Sequence, residues 1–153
     1  ARYDRKLLVE QGVDAREIEI SVLGNEQPQV SLPGEIQSSN EFYDYKAKYI
    51  DNKSISVIPA ELPAKVISAI QRLAVEAYQA LDCEGFARVD FFIERQSGQL
   101  YLNEINTLPG FTEISMYPKM WEASGLSTES LLEQLVTLAE LRYADRSKNS
   151  VQC

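Results

Sequence analysis

Alternating polar and apolar residues mark the first predicted strand of the chain. Residues 17–23 read EIEISVL, a period of two that is typical of a strand with one buried face, and a turn signal follows at Gly24 and Asn25. Residues 6–10 hold a continuous apolar run, which predicts a short buried strand ahead of it. The two segments together favour a meander of half-buried strands.

Residues 28–51 lack clear periodicity, and we predict a long ordered loop there. Residues 28–40 are rich in Pro, Gly and Ser, whereas residues 41–51 carry aromatic side chains among charges. The aromatics are Phe42, Tyr43, Tyr45 and Tyr49. Long loops inside compact domains are usually functional or disordered, and the aromatic content favours a functional loop. Packing over the core remains the alternative role for the tyrosines.

Helical spacing of apolar residues begins after Leu62 and Pro63 and stops before Gly85. The apolar positions are Val66, Ile67, Ile70, Leu73, Ala74, Ala77, Tyr78 and Leu81. Near the other end of the chain, a short helix is predicted to end near Gly125, and an amphipathic helix is predicted over residues 128–143. We expect the last ten residues to be frayed.

Between the helices, residues 88–94 and 100–106 predict two strands joined by a short connection that contains Gly98. A loop is predicted to follow over residues 107–118. Strands and helices in this mixture predict one compact unit of the α+β or α/β class.

Composition narrows the possible functions. The chain has 153 residues, 44% of them hydrophobic, and a net charge of −8, which argues against nucleic acid as a partner. No apolar run is long enough to span a membrane, and residues 1–8 lack a signal-peptide layout. Cys83 and Cys153 form no disulfide framework, so a reducing cytoplasm fits best. Histidine is absent, which excludes histidine-dependent triads and histidine-ligated zinc.

The predicted hairpin brings acidic residues together. We assume that the hairpin is centred on Ser97, so that residues equally far from Ser97 on the two strands pair with each other. Asp90 then lies opposite Glu104, and Arg88 lies opposite Asn106, on one face. Opposed carboxylates on neighbouring strands are destabilising unless a cation lies between them, and carboxylate and amide oxygens suit Mg²⁺ or Mn²⁺. Alternatively, both carboxylates simply face solvent, and a shift of one residue would break the pairing.

Three motifs carry a resemblance to a known family. Residues 85–92 (GFARVDFF), followed by residues 102–112 (LNEINTLPGFT), resemble the paired signature of the D-alanine–D-alanine ligases. Residues 42–49 resemble that family's ω-loop, and residues 9–12 with 16–19 resemble its adenosine-binding segment. The likeness runs from Ala1 to Tyr143 and corresponds to roughly the second half of the family's chain.

The resemblance implies the C-terminal part of an ATP-grasp fold, with an antiparallel meander, an ω-loop and a hairpin flanked by helices. Residues 1–40 would form the second half of the central adenosine-binding region, and residues 41–52 the ω-loop. Residues 53–145 would form the C-terminal catalytic domain, and residues 146–153 a flexible tail.

The implied activity is that of an ADP-forming ligase that joins two D-alanines through an acyl phosphate. ATP and two Mg²⁺ or Mn²⁺ ions would be the cofactors, and peptidoglycan-precursor synthesis in the cytoplasm, hence cell-wall biogenesis and cell shape, would be the role. The expected partners are D-alanine and the missing N-terminal half, in an enzyme that is a homodimer. The family also uses an N-terminal Glu, a Ser and two Lys residues that cannot be identified in this chain, so the chain alone is expected to be inactive.

The resemblance assigns three residues to the metal ions and eight to the nucleotide. The metal ligands are Asp90, Glu104 and Asn106, with Glu104 bridging the two ions. The nucleotide-binding residues are Glu10, Gln11, Val13, Glu17, Phe42, Lys48, Phe92 and Asn103. Among them Glu10 meets the adenine amino group, Glu17 accepts the ribose hydroxyls and Lys48 contacts phosphate. A solvated loop lysine is the alternative for Lys48.

The remaining assignments concern catalysis and the acceptor. Arg88 and the backbone N–H of Gly110 match the groups that stabilise the tetrahedral oxyanion, although Arg88 could simply be the counter-ion of Asp90. Ser115 and the backbone of Met116 match the positions that bind the acceptor carboxylate. Tyr49 matches a residue that orients the catalytic network and favours a dipeptide product. The alternatives are a ligase with D-lactate or D-serine as acceptor and a nucleotide-binding module without chemistry of its own.

Overall fold

The computed structural model of the protein describes residues 5–37 and 55–148. The strands in this part are β1 (Ala15–Leu23), β2 (Gln29–Val30), β3 (Gly34–Gln37), β4 (Ile55–Val57), β5 (Phe86–Glu94) and β6 (Leu100–Asn106). The helices are α1 (Ala64–Ala80), α2 (Met116–Ala123) and α3 (Thr128–Arg146). The predicted class, a mixed fold with an antiparallel sheet, is therefore confirmed.

The described strands form one antiparallel sheet in the order β4-β3-β1-β5-β6, and β2 pairs with the end of β1. Strand β1 pairs with β5 along its full length, from Ala15 opposite Glu94 to Leu23 opposite Phe86. Because successive side chains of a strand point to opposite faces, this long pairing gives the sheet two distinct faces.

One face of the sheet is covered by α1. Ile18, Ile20 and Val22 of β1 form a buried cluster with Ile70 and Ala74 of α1. Alternate residues of β5 join the cluster, namely Ala87, Val89, Phe91 and Ile93. The amphipathic pattern of α1 therefore has the partner that its spacing predicts, and this apolar layer fixes which side chains of β1 and β5 point the other way.

The opposite face is covered at one end by α2 and α3. Leu23, Tyr117, Trp121 and Leu131 form a second buried cluster. Tyr117 also donates its hydroxyl proton to the carbonyl of Val22 at 2.9 Å, and Ser21 Oγ donates to the carbonyl of Tyr117 at 3.1 Å. Burial raises the pKa of Tyr117, so its hydroxyl stays protonated and remains a donor. The rest of this face is left for polar side chains.

Two sequence-based predictions differ from the structure. Residues 6–10 form no strand, and Leu7, Leu8 and Val9 are 75%, 83% and 90% exposed, because no described strand pairs with them. Within the loop predicted over residues 28–51, β2 and β3 form by pairing with β1, a tertiary interaction that overrides the Pro and Gly content. Residues 38–54, which include most of that loop and the segment likened to the ω-loop, lie outside the described residues.

The helix ends also differ from the prediction. Helix α2 begins at Met116, so that Pro118 lies in its first turn, where the missing N–H of proline costs no helical hydrogen bond. Helix α3 continues to Arg146, three residues past the predicted end and into the segment expected to be frayed. None of the described helices is long and apolar enough to cross a membrane. The division of the chain into the four segments proposed above stays a prediction.

Candidate active site

The polar face of β1, β5 and β6 gathers the predicted site residues. Asp90 lies directly opposite Glu104, and Arg88 lies directly opposite Asn106, as the hairpin geometry predicts. On the other side of β5, Glu19 of β1 lies opposite Asp90. Three carboxylates therefore form a row across three neighbouring strands, with Arg88 beside it.

The register assumed for the hairpin is correct at the candidate site but shifts by one residue toward the turn. Asp90 pairs with Glu104, but the next residue, Phe91, pairs with Leu102, which leaves Asn103 as an extra residue in β6. Such a bulge twists the strand and re-aims the side chains beside it. The prediction was therefore right for the acidic pair and wrong for residues 91–93.

Arg88 makes close contacts with two carboxylates of the row. Its Nε donates to Asp90 Oδ1 and its Nη2 donates to Asp90 Oδ2, each at 2.7 Å, and its Nε lies 3.3 Å from Glu19 Oε2. Burial alone would lower the pKa of Arg88, but the hydrogen bonds to Asp90 and the charges of Glu19, Asp90 and Glu104 outweigh it and raise this pKa. The guanidinium is thus a permanent positive charge, and it is also the counter-ion of Asp90 that the sequence left open as an alternative.

Asp90, Glu104 and Asn106 offer oxygen donors of the kind that a hard divalent cation takes. Oδ1 of Asn106 accepts a hydrogen bond from the N–H of Leu108 at 3.0 Å, which leaves one lone pair of that oxygen available. Across residues 5–37 and 55–148, no group of three or more His, Cys, Asp and Glu side chains has the arrangement of a metal site. An ion here would therefore rely on two carboxylates, an amide and outside ligands, which is how Mg²⁺ binds beside substrate phosphates.

The loop after β6 holds the candidate acceptor residues in a compact turn. The N–H of Thr112 donates to Ser115 Oγ at 3.0 Å, the hydroxyl of Thr112 lies 2.8 Å from the same oxygen, and the N–H of Ser115 donates to the carbonyl of Thr112 at 2.9 Å. Gly110 passes so close that a Cβ atom there would lie 2.8 Å from Ser115 Oγ. Met116 is the first residue of α2, where backbone N–H groups and the helix dipole favour a carboxylate.

An aromatic cluster anchors this loop to the sheet. The ring centroids of Phe86, Phe111 and Tyr117 lie 5.4 to 5.8 Å apart, two of the three contacts being edge-to-face. Phe86 belongs to β5 and Tyr117 to α2, so Phe111 connects the loop to both elements. The backbone of the neighbouring Gly110 is positioned through this contact.

The predicted nucleotide residues divide into three groups. Glu17, Phe92 and Asn103 line one pocket together with Glu19, Asp90 and Glu104, and Glu17 lies opposite Phe92. Glu10 and Gln11 are exposed and Val13 is half-buried in the segment before β1, and none of them lines that pocket. Phe42, Lys48 and Tyr49 lie outside the described residues.

Glu19 is the residue that sequence reasoning left without a role. The alternation of residues 17–23 already places it on the same strand face as Glu17. The pairing of β1 with β5, which brings Glu19 beside Asp90 and Arg88, joins segments about seventy residues apart and has no local sequence signal.

Known proteins resemble most of the chain. Residues 1–137 match the family model described as D-ala D-ala ligase C-terminus. A D-alanine--D-alanine ligase from Thermoanaerobacter sp. (strain X514) is 61% identical over 140 residues, which are 91% of this chain and 39% of the relative. The ligase from Solibacter usitatus is 55% identical over 145 residues, which are 95% of this chain and 45% of the relative.

Solved structures agree with the sequence relatives. The D-alanine-D-alanine ligase from Coxiella burnetii matches with a TM-score of 0.81 and 45% identity, covering 96% of this chain and 38% of that one. The VanG D-Ala:D-Ser ligase from Enterococcus faecalis matches with a TM-score of 0.73 and 40% identity, over 84% of this chain and 37% of that one. The chain spans about two fifths of the length of the relatives it matches. It belongs to the family of the D-alanine–D-alanine ligase C-terminus, and its fold is the corresponding part of the ATP-grasp fold.

Proposed function

We propose that the chain is the C-terminal part of an ATP-dependent ligase that joins two D-alanines into D-alanyl-D-alanine for peptidoglycan-precursor synthesis in the cytoplasm. The observation that carries the proposal is the position of Arg88, which pairs with Asp90 and Glu19 in the row of carboxylates and lies opposite Asn106, the last residue of β6 before the loop that holds Gly110 and Ser115. A site of this kind can bind phosphate through metal ions on one side and an amino-acid acceptor on the other.

The reaction has two steps. A carboxylate oxygen of the first D-alanine attacks the γ-phosphorus of ATP, the bond to the β,γ-bridging oxygen breaks and ADP leaves. The deprotonated amine of the second D-alanine then attacks the carbonyl carbon of the acyl phosphate, and the tetrahedral intermediate expels inorganic phosphate. Negative charge gathers first on the transferring phosphoryl group and then on the carbonyl oxygen, and each needs its own stabilising groups.

For the first step, Asp90, Glu104 and Asn106 are the residues that would hold two Mg²⁺ or Mn²⁺ ions. Such ions neutralise the phosphate charges. The exposure of Glu104 on its strand supports this role, because its carboxylate remains open to ligands from outside the chain. Lys48 is proposed as a further phosphate contact.

For the second step, Arg88 and the N–H of Gly110 are proposed to stabilise the oxyanion. The raised pKa of Arg88 keeps its positive charge in place, and the aromatic contact of Phe111 fixes the backbone beside Gly110. Ser115 Oγ and the N–H of Met116 are proposed to bind the acceptor carboxylate. The start of α2 at Met116 supports that role, because the first N–H groups of a helix lack partners inside the helix.

For the nucleotide, Glu17 is proposed to accept hydrogen bonds from the ribose hydroxyls, and Phe92 and Asn103 to line the pocket beside it. The pocket that these three residues share with Asp90 and Glu104 supports this proposal. Glu10, Gln11 and Val13 would contact the base, and Phe42 would complete the site. The exposure of Glu10 and Gln11 is consistent with contacts made to groups outside the chain.

Other acceptors are the second candidate. The structural likeness to a D-Ala:D-Ser ligase favours D-serine over D-lactate among them. Tyr49, which lies outside the described residues, is proposed to favour the dipeptide over the D-lactate product. A non-catalytic module is disfavoured, because the sequence relatives quoted above are named as ligases. The full enzyme is proposed to contain an N-terminal part that supplies the remaining donor-binding residues, and to act as a homodimer.

The test is an assay of the full-length enzyme with Mg·ATP and either D-alanine, D-serine or D-lactate as acceptor beside D-alanine. We expect ADP release that depends on D-alanine and a product with the mass of D-alanyl-D-alanine. If D-alanine is joined to D-serine or D-lactate in preference to a second D-alanine, that molecule is the acceptor. ADP release without any ligated product would contradict both readings.

A further inference from the structure

The bidentate contact between Arg88 and Asp90 creates a conflict inside the proposed mechanism. Both carboxylate oxygens of Asp90 accept hydrogen bonds from Arg88, at 2.7 Å each. A cation that binds Asp90 must share at least one of these oxygens with Arg88, and its charge repels the guanidinium held on the same carboxylate. Arg88 and Asp90 are both largely buried, so a guanidinium that lost its acceptor here would be costly to leave unpaired.

Glu19 supplies the second acceptor. Its Oε2 lies 3.3 Å from Nε of Arg88, on the side of β5 away from Glu104. The single proton of this Nε is donated to Asp90, so in this arrangement Glu19 makes an ion pair with Arg88 through the same nitrogen. A small turn of the guanidinium would exchange one acceptor for the other.

Burial and attachment make Glu19 a fixed partner. Glu19 is 8% exposed and sits in the middle of β1, which pairs with β5 along its whole length and with β3 on its other side. Glu104 also attracts Arg88 but is exposed, and it is itself one of the proposed metal ligands. Among the three carboxylates of the row, Glu19 is the one that is not a proposed metal ligand.

We propose that Glu19 is a positioning residue that holds Arg88 when Asp90 turns to the metal ion, and so keeps the guanidinium in place for the oxyanion. The inference rests on the proposed function of Asp90 and Arg88. Without Glu19, Arg88 stays paired with Asp90 and competes with the metal. Glu19 thus promotes metal binding through Arg88 rather than by touching the ion.

A double-mutant cycle on Mn²⁺ binding tests this, measured by electron paramagnetic resonance on the full-length enzyme with ADP. We expect Glu19→Gln to weaken Mn²⁺ binding about tenfold, a coupling typical of charged residues in contact. In an Arg88→Met background, where nothing competes for Asp90, the same change should alter binding by less than about twofold. Glu94→Gln removes a charge from the turn end of β5 and serves as the control, with no expected effect in either background.

The Glu19→Asp variant distinguishes the effect of direct contact with Arg88 from the effect of negative charge alone. It keeps the negative charge but shortens the reach toward Arg88, so we expect Mn²⁺ binding to weaken as it does in Glu19→Gln. An equal loss in both Arg88 backgrounds, or wild-type binding in Glu19→Asp, would assign Glu19 a general electrostatic role and overturn the inference. So would a wild-type enzyme that binds no Mn²⁺ with ADP. Product analysis of the same preparations judges the ligase assignment separately, because Mn²⁺ binding requires no ligation.

Discussion

Gly110 and Ser115 approach each other so closely that a Cβ atom on the glycine would lie 2.8 Å from the serine Oγ. Contact at that distance forces one of the two to move, and Ser115 is held by two contacts with Thr112. Glycine is therefore the residue that fits at position 110 without moving the Ser115 hydroxyl. Its side chain, if it had one, would displace the hydroxyl proposed to bind the acceptor carboxylate.

Gly110→Ala is expected to raise the KM for the acceptor D-alanine by about tenfold to a hundredfold, because small displacements of positioning groups have effects of this size. The KM for ATP should change little. Steady-state kinetics with each substrate varied in turn measures both values in the full-length enzyme.

Ser115→Ala provides the control for that experiment. It removes the oxygen that a Cβ on Gly110 would meet, so adding Gly110→Ala to it should cost much less than in the wild type. Fully additive losses would show that Gly110 acts independently of Ser115.

Glu104→Gln is expected to reduce ligation by about a hundredfold or more, because an amide lacks the negative charge with which Glu104 is proposed to hold the metal ions. The fold should persist, since Glu104 is exposed on an edge strand. Turnover over a range of Mg²⁺ concentrations, with circular dichroism of the same sample, tests both points. Normal turnover of the variant at low Mg²⁺ would remove Glu104 from the metal site.

A buried ion pair outside the site predicts a pH dependence of stability. Arg16 donates to both carboxylate oxygens of Glu35, at 2.7 and 2.8 Å, and Glu35 is 4% exposed. The hydrogen bonds from Arg16 lower the pKa of Glu35 against the opposing effect of burial. A group whose pKa is lower in the folded state stabilises that state above its unfolded pKa, and this contribution is lost as the pH falls through the folded pKa.

Glu35→Gln should therefore lower the free energy of unfolding by about 1–3 kcal/mol at neutral pH, and the difference from the wild type should shrink in acid. Urea denaturation of the wild-type and Glu35→Gln chains, from neutral pH into the acid range, measures this difference. Glu76→Gln is the control, because its pair with Arg72 is more than half exposed on both sides and should contribute little. A Glu35 effect that stays constant with pH would contradict the linkage.

The chain by itself is expected not to form D-alanyl-D-alanine, because it spans about two fifths of the length of its relatives and the remaining part is proposed to supply donor-binding residues. It is expected to bind Mg·ADP weakly, since it contains the residues proposed to bind the metal ions and the ribose but not the part proposed to cover them. Isothermal titration with Mg·ADP and an assay for D-alanine-dependent phosphate release test the two statements. Phosphate release by the chain alone would overturn the first.

The sequence predicted the acidic pair because hairpin register is a local property. Residues 88–94 and 100–106 are separated by a short turn, so Asp90 could be placed opposite Glu104 by counting alone. The bulge at Asn103 could not be predicted by counting residues from the turn, because an extra residue in one strand leaves no periodic signal. The helices were predicted within a few residues, since their apolar spacing is also local.

Long-range pairing set the limit of what the sequence could predict. Strands β2 and β3 exist because they pair with β1, and residues 6–10 fail to form a strand although their composition favours one. For the same reason Glu19 had no assigned role until the pairing of β1 with β5 placed it beside Arg88. The roles of Phe42, Lys48 and Tyr49 stay predictions, as these residues lie outside the described part of the chain.

Arg88 is the central residue of the proposed site, and Arg88→Met in the full-length enzyme tests its role. Pre-steady-state measurement of ADP and dipeptide formation from D-alanine and Mg·ATP separates the phosphoryl-transfer and amide-forming steps. We predict that the wild type forms D-alanyl-D-alanine and ADP in equal amounts, and that the variant loses dipeptide formation by about a hundredfold to a thousandfold while still binding Mn²⁺ and ADP. An Arg88→Met enzyme that forms the dipeptide at the wild-type rate would contradict the proposed site.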